Sequence, residues 1–507
     1  MTTNFHRRDF LKLLSTLPPV LFLPASRNQP KSNRNPNQPN FIVLVFDAWS
    51  AENMSLYGYP RKTTPKLESL ADRAIVYHNH YTGGHFTIPG TASLLTGVLP
   101  WRHQLHRSIF DLKEFYREKN IFGIFPEYRR YAYSHNLLAE DVIRYMLPAL
   151  DELKPWQDLY YWANPVQSIF YNDNDISSVS WIRSMDTTEN GFANSVFLSR
   201  VWSFFTRRSS ERLTDQYPLG LPSFSNSYPF LLEDAIDWLA NFASTESNPF
   251  LLYYHLFPPH DPYHTRASFY QKFASDEFIP TKKPEHILTD GIKENQNRRL
   301  RLAYDEYVLY VDAEIDRLFS LLDTTASLEN TWIILTSDHG EIFERGLVSH
   351  KKPTFFEPLA HIPLIIFPPN RKSRLDIHAP TSAIDILPTL LSITGQTSPG
   401  WAEGEVLPPF NDQYSDERPV FLMDGKFTEV SEPYSTASMM LRKGDYKLIH
   451  HFGSKNYYSA LNGETIFELY DLKNDPEELE NIFDTRPNLA QSLTKILQDK
   501  MRAEGTL

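Results

Sequence analysis

The chain has 507 residues, 41% apolar and 14% aromatic, which excludes a disordered or low-complexity protein and supplies enough material for more than one domain. A formal net charge of -12 argues against nucleic acid as a partner, because duplex binding draws on lysine and arginine to displace counterions. An anionic ligand must then be held by a local cluster of positive charge, and a chain without cysteine does without disulfides.

At the N-terminus, His6-Arg7-Arg8-Asp9-Phe10-Leu11-Lys12 precedes an apolar run from Leu13 to Ala25 that Pro18, Pro19 and Pro24 interrupt. The run falls short of the roughly 20 residues that span a bilayer and has the build of a twin-arginine export signal. The expectation is an exported, periplasmic or otherwise extracytoplasmic protein without a transmembrane anchor. Residues 26–39 are polar and proline-rich, a flexible tether, so residues 1–39 form signal and linker.

Phe41–Phe46 is a continuous apolar run, the mark of a strand covered on both faces of a parallel sheet. Similar runs are Pro249–Leu256, Trp332–Thr336 and Leu364–Phe367. Helical patterns lie between them at Pro65–Ala71 and Leu302–Leu322. Strands alternating with helices predict an α/β catalytic domain over 40–409, with a mainly parallel central sheet sandwiched by helices. Residues 150–230 are rich in Trp, Tyr and Phe and are set apart as an insertion, read as having its own small core, as a cap over the site or as packing against an acyl or membrane surface. Over 410–507 short strands at Val420–Met423, Ser438–Arg442 and Tyr446–Ile449, followed by a helix at Asn488–Met501, predict a smaller C-terminal α+β domain with an antiparallel sheet.

Ligands collect at the carboxyl ends of strands in such sheets. Asp47 directly follows the first run, and Asp338 and His339 directly follow Trp332–Thr336 and Ser337. Taken singly, each is equally a helix cap or turn residue. Together they supply two carboxylates and an imidazole, ligands suited to one divalent cation.

Thr87-Ile88-Pro89-Gly90-Thr91-Ala92-Ser93-Leu94-Leu95-Thr96-Gly97 resembles, at every spacing, the signature C-x-P-S-R-x-x-x-L-T-G of the sulfatase family of the alkaline phosphatase superfamily. Ser337-Asp338-His339-Gly340-Glu341 is similar to that family's S-D-H-G-E motif, and Glu468–Glu478 resembles part of its C-terminal module. The resemblance implies that Thr87 stands at the nucleophile position and joins Asp47, Asp338 and His339 around one divalent metal ion (Mn, Zn, Mg or Ca). The histidine tilts the choice away from calcium. Typical members carry cysteine or serine there and oxidise it to formylglycine; threonine is not a substrate for that change, so no formylglycine is expected. A bound metal would make the plain hydroxyl basic enough to attack.

Pro259-His260-Asp261-Pro262-Tyr263 resembles the family's P-H-x-P-Y element, which implies that His260 protonates the leaving group. Ser349-His350-Lys351-Lys352, followed by Phe356-Glu357 and His361-Ile362-Pro363-Leu364, resembles its G-H-K…Y-E…R-V-P-L run, implying that His350 and Lys351 contact the anionic ester group. His103 falls where the family has a structural histidine. Three features depart from typical sulfatases: Ala48 replaces the second of two adjacent aspartates, Thr91 replaces the signature arginine, and Tyr133-Ser134-His135-Asn136 lacks the lysine of G-K-W-H. The surviving set resembles instead the phosphotransferase and phosphonate or phosphodiester hydrolase branches of the superfamily. The reading is a metal-dependent hydrolase that cleaves phosphate mono- or diesters through Thr87, acting on a small-molecule, glycan or lipid ester. The alternatives are a sulfuric ester hydrolase and a non-catalytic anion-binding member.

Overall fold

The computed structural model describes residues 38–506 apart from 108–110, 162–212, 225–227, 326, 412–413, 429–433, 435 and 454–464. The segment expected to be an export signal and most of the aromatic-rich insertion fall outside the described residues. An eight-stranded sheet organises the larger part of the chain. Its strands are β1 (Asn40–Phe46), β2 (Ile75–Tyr77), β3 (Arg129–Ser134), β4 (Glu152–Leu153), β5 (Phe250–Leu256), β6 (Thr331–Ser337), β7 (Leu364–Phe367) and β8 (Leu375–Ile377), in the order β8-β2-β7-β6-β1-β5-β3-β4. β6, β1, β5, β3 and β4 pair in parallel. Only β7 is reversed, antiparallel to both β6 and β2.

β1 explains the unbroken apolar runs. Ile42, Leu44 and Phe46 enter one core, and Phe41, Val43 and Val45 enter the core on the opposite face. Alternate residues point to opposite faces of a strand, so a strand covered twice is apolar at every position. Each such buried aliphatic side chain contributes roughly 1.5–3 kcal/mol of transfer free energy. One face is covered by α1 (Pro65–Leu70), α4 (Leu232–Thr245) and α5 (Glu294–Thr324); the other by α2 (Thr87–Thr96), α3 (Leu137–Tyr145) and α6 (Ile386–Ile393). α5 begins eight residues before the predicted Leu302.

The C-terminal sheet is antiparallel throughout, β9 (Val420–Asp424), β10 (Ala437–Lys443), β11 (Tyr446–Phe452) and β12 (Ile466–Asp471) in sequence order. α7 (Pro487–Ala503) lays Ala490, Leu493, Leu497 and Met501 against Met439, Leu441, Leu448 and Leu469. The described flanks of the insertion, Trp156, Tyr160, Phe224, Tyr228 and Phe230, pack with Phe257 in a separate aromatic cluster. No described helix is long and apolar enough to cross a membrane.

Two contacts from α5 brace the front of the sheet. The Tyr304 hydroxyl donates to the Ala48 carbonyl at 2.7 Å and accepts from Ser50 N at 2.9 Å, fixing the turn that leaves β1. Asp312 accepts from the backbone N–H groups of Lys66 and Leu67, each at 2.8 Å, and so caps the first turn of α1 from another helix. Asp312→Ala is expected to destabilise the protein by about 1–2 kcal/mol, read as a lower denaturant midpoint with an unchanged slope.

Candidate active site

Asp47 leaves β1 and Asp338 and His339 leave β6, neighbouring parallel strands, so their side chains emerge at one edge. All three are buried, and their ligating atoms lie within 4.8 Å of one another. His339 Nε2 is 3.3 Å from Asp47 Oδ1 and 3.7 Å from Asp338 Oδ2. Its Nδ1 faces the Gly340 carbonyl at 2.9 Å, an acceptor only, so Nδ1 carries a proton and Nε2 is the nitrogen turned toward the carboxylates. Asp338 Oδ1 is held by the N–H groups of His339 and Ala48 at 3.0 and 3.3 Å. Ala48, which replaces the family's second aspartate, adopts φ 58° and turns the chain away after one carboxylate.

Thr87 is the first residue of α2, and its Oγ1 lies 3.4 Å from His339 Nε2. The approach depends on Gly90: a Cβ there would stand 2.3 Å from the Asp338 carbonyl oxygen. That carbonyl also accepts from Thr82 Oγ1 at 2.5 Å, which ties the loop before α2 to the loop after β6.

Asp47 Oδ1 and Asp338 Oδ2 are buried without a hydrogen-bond partner. Burial opposes ionisation of Asp47, but His260, His255 and His339 together hold its carboxyl well below the usual range. Burial and the neighbouring Asp47 push Asp338 up. His339 is also buried, yet Asp338 and Asp47 raise it to about 9. Two buried carboxylates with free oxygens, one imidazole nitrogen and one hydroxyl form a donor set that fits a divalent cation with mixed oxygen and nitrogen ligands, which would take the place of the proton on His339 Nε2.

The remaining expected residues lie around this centre. The His350 ring is 4.3 Å from the His339 ring and 4.8 Å from that of His260, centroid to centroid. Its Nδ1 faces Ser349 Oγ at 3.2 Å and Glu341 Oε1 at 3.4 Å. Burial, with the charges of His339 and His260, holds His350 well below the usual histidine range. His260 hydrogen-bonds the Asp261 carbonyl through Nδ1 at 2.7 Å, leaving Nε2 for other contacts. Lys351 is at the rim with an exposed side chain, and what it offers inward is its carbonyl, which accepts from Lys426 Nζ at 3.4 Å. His103 is buried with Leu105 N at 3.1 Å from Nδ1 and Ser93 Oγ at 3.1 Å from Nε2, contacts of a structural residue.

Two close neighbours were not singled out in the sequence. Asn136 caps α3 by accepting from Leu138 N at 2.8 Å, and its Nδ2 donates to Asp47 Oδ2 and, at 3.2 Å, to Thr87 Oγ1. His255, near the end of β5, has its Nε2 3.4 Å from Asp47 Oδ2 and 3.7 Å from Asp338 Oδ2, while its Nδ1 pairs with the Tyr253 hydroxyl at 3.0 Å. The signal for both was position: each sits at the carboxyl end of a strand beside β1 or next to one that is.

The family model for sulfatases matches residues 39–124 and 178–396, and the model for the C-terminal part of N-sulphoglucosamine sulphohydrolase matches 346–505. The chain belongs to the sulfatase family. It is 25% identical over 484 residues to choline-sulfatase of Rhizobium meliloti, covering 88% of this chain and 82% of that protein. A sulfatase of Escherichia coli, YidJ, is 24% identical over 481 residues, 88% of this chain and 83% of the relative. Among solved structures, the phosphonate monoester hydrolase of Agrobacterium radiobacter superposes with a TM-score of 0.64 at 17% identity, over 92% of this chain and 96% of that one. The fold is that of the sulfatase and alkaline phosphatase-like enzymes, and the protein is an ester hydrolase of a metal-dependent family.

Metal analysis of purified protein is expected to find a bound divalent ion that Asp338→Asn removes together with activity. Asn136→Ala, which keeps the carboxylates and His339, should retain the metal to within about 10–100-fold in affinity.

Proposed function

We propose that this sulfatase-family hydrolase cleaves phosphate mono- or diesters through Thr87. The observation that carries the reading is the Thr87 hydroxyl at the N-terminus of a ten-residue helix, 3.4 Å from His339 Nε2 and 3.2 Å from Asn136 Nδ2. Asp47, Thr87, Asp338 and His339 would hold one divalent ion, which when bound acidifies the threonine hydroxyl and offsets charge on the transferring group. The positive end of α2 faces the same place.

Thr87 Oγ1, held as the alkoxide, forms a bond to phosphorus as the phosphorus–alcohol bond opposite it breaks. His260 gives its proton to the departing alkoxide. The neutral imidazole then takes a proton from water as that water attacks the threonyl phosphate, which releases phosphate and restores both Thr87 and protonated His260. Asn136 orients Thr87 against Asp47, and His350 binds a non-bridging oxygen from the opposite side. Phosphate is preferred over sulfate because the arginine that steadies formylglycine is replaced by Thr91, which is buried and packed beside Tyr253.

Sulfuric ester hydrolysis is the second reading, favoured by the names of the relatives. Metal-replete protein is expected to turn over aryl phosphate mono- or diesters faster than aryl sulfate; predominant sulfate turnover reverses the preference. Thr87→Ala should lower kcat/KM by about a thousandfold or more while metal is retained, and mass spectrometry of the wild type quenched during turnover should find a phosphoryl group on the Thr87 peptide. The twin-arginine reading predicts that Arg7→Lys with Arg8→Lys leaves the protein in the cytoplasm.

A further inference from the structure

Three lysines converge beside the nucleophile helix. Lys351 and Lys352 follow His350 directly, and Lys426 arrives from the C-terminal sheet, in the turn after β9. Lys426 Nζ is 3.4 Å from the Lys351 carbonyl and 4.7 Å from the ring centroid of Phe86, the residue that precedes Thr87. Among the described residues, none of the three makes an ion pair, although the chain as a whole is acidic. Burial together with Lys352 and Lys351 holds the Lys426 ammonium below the usual lysine range, with Asp424 and Asp290 opposing.

The turn that carries Lys426 is tightly built. Asp424 Oδ1 accepts from Lys426 N at 2.7 Å, and Asp424 Oδ2 pairs with His85 Nδ1 at 2.5 Å. Both partners are buried, and His85 lies two residues before Thr87, so the pair bolts the C-terminal sheet to the nucleophile loop. Gly425 admits no side chain, since a Cβ would meet His106 Nδ1 at 2.8 Å. The Asp424 carboxylate is thus engaged by His85 and by the backbone of the turn, while the ammonium of Lys426 is set over Phe86. Like charges gathered in one place cost free energy, and an anion between them lowers that cost.

The reacting group already has the metal ligands, the α2 terminus, His350 and His260. Lys351 and Lys352 continue the chain from His350, and Lys426 lies against Lys351 and over Phe86, so the three stand beside the reacting group and outside it. We propose that Lys426, with Lys351 and Lys352, forms a subsite for a second anionic group on the alcohol part of the substrate, so that the natural ester is polyanionic. This rests on the reading of Thr87 as nucleophile. It moves Lys351 from the reacting ester group to this neighbouring position.

The test compares two isosteric esters of nearly equal leaving-group basicity on the holoenzyme, 4-(carboxymethyl)phenyl phosphate and 4-(carbamoylmethyl)phenyl phosphate, with the matching sulfates if sulfate is the ester turned over. The wild type should prefer the carboxylate, chiefly through KM, and the preference should shrink as salt is raised. Lys426→Ala should lower the carboxylate-to-amide ratio of kcat/KM about tenfold, and Lys426→Arg should restore most of it. Equal losses on both esters would show that Lys426 serves the reacting group, and an unchanged ratio that no subsite exists; either overturns the proposal. Thr87→Ala separates the two readings: if it leaves turnover intact the nucleophile is wrong, whereas the ester ratio still reports on the lysines.

Discussion

Two carboxylates meet in a place closed to water, and the rest of the site follows from that. Asp47 and Asp338 end neighbouring strands of the sheet, each fully or almost fully buried, with one oxygen of each lacking a hydrogen-bond donor. Like charges so placed are tolerated only where positive charge is supplied nearby. His339 Nε2 and His255 Nε2 each lie within 3.7 Å of both carboxylates, and a divalent ion held by Asp47, Asp338, His339 and Thr87 would supply that charge. The Thr87 hydroxyl, at the start of α2, lies 3.4 Å from His339 Nε2 and so borders the same charges.

Holding that arrangement takes contacts from every layer. The turn after β1 is latched by Tyr304 of α5, the approach of α2 requires the bare backbone of Gly90, and Asn136 joins Asp47 to Thr87 while capping α3. None of these residues carries charge. Their role is to fix geometry, so that free energy is not spent on ordering the site when substrate arrives. The C-terminal sheet takes part as well, since Asp424 reaches His85 and its turn delivers Lys426 to the rim.

The sulfatase family sets the reaction class, and this chain differs at the position where the family's signature carries its cysteine or serine. A threonine in place of cysteine or serine cannot become formylglycine, and the arginine and second aspartate that accompany that group are Thr91 and Ala48. The changes are mutually consistent: with no aldehyde hydrate to stabilise, its supporting charges have no task. What persists is the equipment for any tetrahedral anionic ester, namely a metal-ligand set, a helix terminus and flanking imidazoles.

The sequence by itself determined the sheet class, the antiparallel C-terminal module and the residues that end β1 and β6, because unbroken apolar runs follow directly from burial on both faces and short motifs preserve spacing. It did not determine that β7 runs backward, since a four-residue apolar run carries no direction. His255 and Asn136 escaped for a related reason: their place beside Asp47 depends on which strands neighbour β1, and pairing partners 89 and more than 200 residues away leave no local pattern. Only the folded chain decided that Lys426, from another sheet, is set over Phe86 beside the exposed Lys351, because a charged side chain's place is set by the surfaces that tertiary packing leaves open to it.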